Sequence, residues 1–225
     1  MSRDRAYHHG DLRAALIAAS FELLAEGGLR RFSVAAVARR LGVSSAAPYR
    51  HFPDRDHLLS AVSGAAATDL RAAILEAAVA AGPPAPDGPG ATDPVAAGSA
   101  PAGPAAAAAA DRLAAVAGAY FRYVVATGAG FHVIYAPELY AVADENRREQ
   151  TRALMDTLLD LATATDVPSY RQAVPLVEAI IAVAHGYTSL FADGFFARGG
   201  PQAVETVAVR ATEAARALIR AEHRP

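Results

Sequence analysis

Residues 33–52 read SVAAVARRLGVSSAAPYRHF, and this stretch decides the fold. Ser33 stands where an N-cap belongs, its hydroxyl able to accept from the first free amides of a helix. Val34, Val37, Ala38 and Leu41 then recur at helical spacing. Gly42 closes the helix, because a turn there needs a positive φ that glycine adopts without strain. Ser44 is expected to cap a second short helix carrying Ala46, Ala47, Tyr49 and His51. Two short helices around a glycine turn make a helix-turn-helix. Ala38 is small where the helices cross, and Val37, Leu41 and Val43 form the small core between them. The solvent face of the second helix is Ser45, Ala46, Tyr49 and Arg50. Short side chains let such a helix enter a major groove, while hydroxyls bind phosphate and a guanidinium reads guanine or phosphate.

Working outward, period-two alternation is absent, and Ala, Leu, Arg and Glu favour helix. A helix starts near Asp11, with Leu12, Leu16, Ala19 and Leu23 on one stripe, and stops at Gly27-Gly28. Pro53-Asp54 introduces a longer helix, with Asp54 and Asp56 in its first turn where the helix dipole favours negative charge. Residues 82–104, GPPAPDGPGATDPVAAGSAPAGP, hold almost no large apolar side chain and read as a flexible loop. Further helices follow over about 106–128, 131–136, 139–164, 168–196 and 201–222. The penultimate helix is apolar nearly all round. The last carries Val204, Ala208, Ala211, Ala215 and Leu218 on one face. The expectation is an all-α chain of around nine helices. Residues 1–60 form a three-helix reading head, and 61–225 an effector and dimerisation bundle. Pairing the last two helices with those of a second copy would cover the apolar surface.

Composition narrows the class. The 225 residues include no Cys, which excludes disulfide scaffolds, thiol nucleophiles and Cys-ligated metals. Charges and helix breakers interrupt every long apolar run, and the N-terminus has no apolar leader, so no membrane partner and a cytoplasmic location are expected. The formal net charge is −2. It is unevenly spread: residues 1–60 hold nine Arg against six acidic residues, and residues 61–225 hold twelve Arg against seventeen. A basic segment joined to an acidic one suits a polyanion-binding module fused to something else. The chain has no Lys, so every cationic side-chain contact to phosphate must come from Arg or protonated His.

The pattern extends well beyond the turn. Residues 7–62 resemble, without an evident gap, the N-terminal DNA-binding domain of the TetR family of transcriptional regulators. The shared features are Gly27-Gly28, the Val37-Ala38-x-x-Leu41-Gly42-Val43-Ser44 turn, and Tyr49-x-His51-Phe52-x-x-Arg55. The resemblance implies that Ser33, Ser44, Tyr49 and Arg55 contact phosphates, that Ser45, Ala46 and Arg50 face base edges, and that Phe52 is core. His51 has a plainer reading as an interhelical packing residue, and Arg30, Arg31, Arg39 and Arg40 as solvated charge. Arg3 and Arg5 lie on an N-terminal arm that could reach the DNA backbone. Pro48 departs from the pattern: it lacks an N–H, although near the start of a helix the expected damage is small. His8-His9-Gly10-Asp11 and Ala184-His185-Gly186 resemble a subgroup whose effector domain carries Trp-His-Gly, with Ala184 in the Trp position.

A one-component regulator needs an apolar pocket with a few polar groups. The candidates are Tyr120, Tyr123, Phe131, His132, Tyr135, Tyr140, Glu178, His185 and Tyr187, each of which could equally be core or surface. No His-x3-His spacing supports a metal, and no nucleophile elbow, phosphate loop or zinc-protease motif is present, so neither cofactor nor catalysis is expected. The sequence thus points to a ligand-responsive, homodimeric, DNA-binding repressor. The alternative is an all-helical small-molecule binding protein with a vestigial reading head.

Overall fold

A computed structural model describes residues 12–82, 104–165, 170–196 and 202–222. The expectations for Arg3, Arg5, His8-Asp11 and all but the ends of the 82–104 loop lie outside the described residues. The described residues form eight α-helices and three short 3-10 turns, with no strand. The helices are α1 (Leu12–Gly27), α2 (Val34–Leu41), α3 (Arg55–Ala80), α4 (Pro104–Thr127), α5 (Phe131–Ile134), α6 (Glu145–Thr163), α7 (Tyr170–Ala192) and α8 (Ala203–Glu222). The expected helix missing from this series is the second one of the helix-turn-helix. The expected helix over 139–164 also divides, into a 3-10 turn at Pro137–Ala141 and α6.

The chain divides into two compact units. The first comprises residues 1–69 and 123–153, so the reading-head sequence shares its unit with α5 and the start of α6. Within it, α1 buries Leu16, Ala19, Ser20 and Leu24, while Leu12 and Leu23 remain half-buried. Ser20 is tolerated there because its hydroxyl donates to the Leu16 carbonyl at 2.7 Å. Gly28 ends α1 with φ 65°, donating to the Leu24 carbonyl at 2.8 Å. Gly128 ends α4 with φ 65°, and a Cβ there would collide with the Leu24 and Ala25 backbone.

The second unit comprises residues 70–122 and 154–225. Here α4 and α8 approach closely at Gly118, where a Cβ would meet the Thr212 hydroxyl and the Ala208 carbonyl. Arg122 and Glu205 hold the same pair of helices through two hydrogen bonds, and Arg216 with Asp111 through a third at 2.6 Å. The small-residue face of α8 is therefore spent inside the chain: Ala208, Ala211 and Ala215 are fully buried. Val204 and Leu218 of the same face remain half-buried. Two helices, residues 55–80 and 171–192, are long and apolar enough to cross a membrane by length and composition. The chain buries 61 % of the first window but only 22 % of the second, leaving α7 with uncovered apolar surface.

Candidate nucleic-acid interface and effector site

The first half of the turn forms as its residues dictate. Ser33 accepts from the Ala36 N–H at 3.2 Å and caps α2. Gly42 adopts φ 67°, ψ 24°, its N–H bonding back into the last turn, and Val43 N–H reaches the Ala38 carbonyl at 3.1 Å. That is a Schellman closure, and it needs a left-handed residue at Gly42. Val37, Ala38 and Phe52 are buried, whereas Leu41 and Val43 are only half-buried. The Arg13 guanidinium lies 4.9 Å from the Phe52 ring centroid.

The second half differs from expectation. Residues 44–52 form successive turns, with one 3-10 turn at Pro48–Arg50, rather than an α-helix capped by Ser44. The physical reason is Pro48. An α-helix would need its N–H to reach the Ser44 carbonyl, and proline has none. The Ser44 carbonyl instead accepts from Ala47 N–H at 3.0 Å, and Arg50 N–H bonds the Ala47 carbonyl at 3.2 Å. No side-chain bond caps this turn. The Pro48 ring is buried. Ser44, Ser45, Ala46, Tyr49 and Arg50 nevertheless all face solvent, with Tyr49 53 % exposed.

The surrounding cations are not equivalent. Arg30, Arg31 and Arg39 are exposed. Arg40 is exposed too, and pairs across to α1 with Glu22 at 2.9 Å and Glu26 at 2.5 Å. Its hydrogen bond holds the Glu26 carboxyl below the usual range. Arg55, at the start of α3, is half-exposed. Its Nε donates to the Phe32 carbonyl at 3.5 Å, and its Nη1 lies 3.1 Å from Asp56 and 3.9 Å from Glu138. Asp54 caps α3, accepting from the His57 N–H and facing the His57 ring nitrogen, both at 2.9 Å. The His57 side chain holds the Asp54 carboxyl below its usual range. His51 is half-buried.

The effector candidates form pairs rather than one site. Tyr120 is buried, and its hydroxyl lies 3.2 Å from His185 Nδ1. Ala184, in the position of the subgroup's Trp, is fully buried beside it in sequence. Phe131 stacks on Tyr135 with centroids 5.6 Å apart, and the Tyr135 hydroxyl donates to the Thr151 carbonyl at 3.1 Å. Tyr187 stacks on Phe196 at 5.9 Å. Among the described residues the buried Tyr123 hydroxyl finds no hydrogen-bond partner, and burial together with the Asp69 charge pushes it above its ordinary range. His132, Tyr140 and Glu178 are exposed. Among the described residues no three His, Asp or Glu side chains gather as metal ligands.

Among the described residues of the second unit are two cavities that none of these candidates lines. One of about 340 Å³ is floored by Ala77, Ala80, Ala81 and Ala115 and edged by Arg122 and Arg216. The other, of about 120 Å³, lies among Ala106, Ala110, Asp111, Thr165 and Ile219. Sequence reasoning missed both, because alanine carries no signal that separates a cavity wall from a helix-forming surface.

Comparison with known proteins agrees with this geometry. Residues 16–62 match the family described as bacterial regulatory proteins, tetR family. Residues 113–217 match the domain described as tetracyclin repressor-like, C-terminal domain. No curated protein matches the chain. Among solved structures, a protein of unknown function from Rhodococcus sp. RHA1 is 28 % identical, with a TM-score of 0.63 over 95 % of this chain and 97 % of that one. A tetR-family transcriptional regulator from Streptomyces coelicolor is 21 % identical, with a TM-score of 0.57 over 96 % and 85 %. The TetR family regulator PfmR from Thermus thermophilus is 22 % identical, with a TM-score of 0.50 over 98 % and 94 %. The last two likenesses speak to the fold.

Proposed function

The chain belongs to the tetR family of bacterial regulatory proteins and is a DNA-binding transcriptional regulator rather than an enzyme; from that premise we propose that it is a ligand-responsive repressor, released from a palindromic operator by a small-molecule effector. The observation that carries this reading is the exposed patch Ser45, Ala46, Tyr49 and Arg50 beside a properly closed Gly42 turn. Small side chains flanking one guanidinium suit a major groove, with Arg50 on a guanine edge and Ser45 and Ala46 beside it. Ser33, Ser44, Tyr49 and Arg55 take phosphates. Residues 1–60 act as the reading head, and 61–225 as the effector and dimerisation part. Two copies joined through the C-terminal helices place two heads on successive major grooves. An effector with higher affinity for a dimer whose heads are wrongly spaced shifts the population away from DNA. With DNA as its partner, the protein works in the cytoplasm.

Fluorescence anisotropy with duplexes from the DNA flanking its own gene tests this. Salt-sensitive, sequence-selective binding is expected. Arg50→Ala should relax base preference at a cost of about 1–3 kcal/mol. Tyr49→Phe and Arg55→Ala should weaken all sequences alike. Binding without sequence preference, or equal effects from all three variants, would overturn the assignment.

A further inference from the structure

Arg55 does not present a free guanidinium: Nη1 donates to the neighbouring Asp56 at 3.1 Å, and a second carboxylate competes for it from the far part of its own compact unit. Glu138 Oε1 sits 3.9 Å from Arg55 Nη1 and is itself only partly exposed. Glu138 belongs to the segment between α5 and α6, which is pinned to α3 at several points. Ser63 donates to the Ile134 carbonyl at 2.7 Å. Ser60 donates to Asp144 at 2.8 Å, and Asp144 in turn caps α6 by accepting from Arg147 N–H at 3.0 Å. Gly64 packs close to the Arg147 backbone.

Arg147 is the unusual member. It is 5 % exposed, forms no ion pair within 4 Å among the described residues, donates Nη2 to the Leu139 carbonyl at 2.9 Å, and leaves Nε without a partner. A buried guanidinium is costly, and the nearby Asp144 charge offsets part of that cost. What Arg147 achieves here is to hold the backbone one residue from Glu138.

We propose that Glu138 is an intramolecular competitor with DNA phosphate for Arg55, so that it lowers the affinity of the head for DNA. This rests on the reading of Arg55 as a phosphate contact. To bind DNA, Arg55 must exchange a carboxylate for a phosphate, and the net counterion release falls by part of one ion. The pair is exposed enough for the exchange to occur, since such pairs are individually weak.

The test is a double-mutant cycle on the full-length protein, read as DNA affinity and its salt dependence on one duplex. Glu138→Gln should bind about two- to five-fold tighter, with a log–log salt slope steeper by up to about 0.9. The gain should vanish in an Arg55→Ala background. Glu145→Gln, which removes another exposed carboxylate of the same unit, should leave affinity nearly unchanged. If Arg55→Ala weakens binding but Glu138→Gln changes nothing, the competition is refuted while the phosphate contact stands. A gain that survives in Arg55→Ala, or that Glu145→Gln reproduces, reduces the effect to bulk charge and also refutes it. If Arg55→Ala alone has no effect, the phosphate reading falls and the competition falls with it.

Discussion

At the scale of single residues, the turn chemistry was legible because it is local. Ser33 and Gly42 do what their types predict, each through bonds to neighbours within five residues. Gly128 was legible only as a helix end. Its second duty, letting α4 end against the α1 backbone at Leu24 and Ala25, joins residues about a hundred positions apart and leaves no trace in spacing. The two glycines therefore separate two costs. Gly42 has φ 67° and nothing within 4 Å of a Cβ, so Gly42→Ala incurs only the left-handed strain, about 1–2 kcal/mol. Gly128→Ala adds a collision with backbone, which cannot swing aside as a side chain can. It should cost about 3 kcal/mol or more. Denaturant unfolding of both variants checks the order, and equal losses would show that α1 yields freely at the contact.

At the scale of elements, the helix series was readable from 3.6-residue periodicity, with one instructive miss. Periodicity and Ser44 pointed to a second turn-motif helix, and Pro48 outweighed both. The outcome turns on one absent N–H in a segment too short to lose a bond: an eight-residue helix has few bonds to begin with, so removing one leaves isolated turns. Restoring the donor should restore the helix. In Pro48→Ala, Cα chemical shifts over residues 45–51 should move toward α-helical values. Net stability should change by no more than about 1–2 kcal/mol, because the lost burial of the ring offsets the gained bond. Unchanged shifts would mean that the tertiary setting of Pro48, rather than its missing N–H, dictates the turn. The expected effector residues and the two cavities described above do not coincide, for a related reason. Aromatic residues are visible in a sequence, but Phe131–Tyr135 and Tyr120–His185 satisfy one another, while the cavities are lined by alanines together with polar and charged side chains and no aromatic residue.

At the scale of the whole molecule, hydrophobic surface is the quantity a single chain leaves unbalanced. The apolar character of α7 was evident from sequence, but which of its faces stay open was not, since that depends on packing against α4 and α8. The small-residue face of α8 is occupied within the chain. The C-terminal half of α7 is not: Ala182, Gly186 and Leu190 lie four residues apart on an exposed line, with Leu190 42 % and Phe195 72 % exposed. On the proposed reading, a second copy would cover such a patch by two-fold self-contact and supply the two heads a palindrome needs. A charge on this line should therefore separate the copies without unfolding either. Leu190→Glu should run as a monomer in sedimentation while keeping its far-UV helix signal. Its affinity for a two-half-site duplex should fall by about 10²-fold or more, because the second head loses its tethered effective concentration. Affinity for a single half-site should not change. A dimeric Leu190→Glu with full operator affinity would move the interface off α7 and leave its apolar surface needing another occupant.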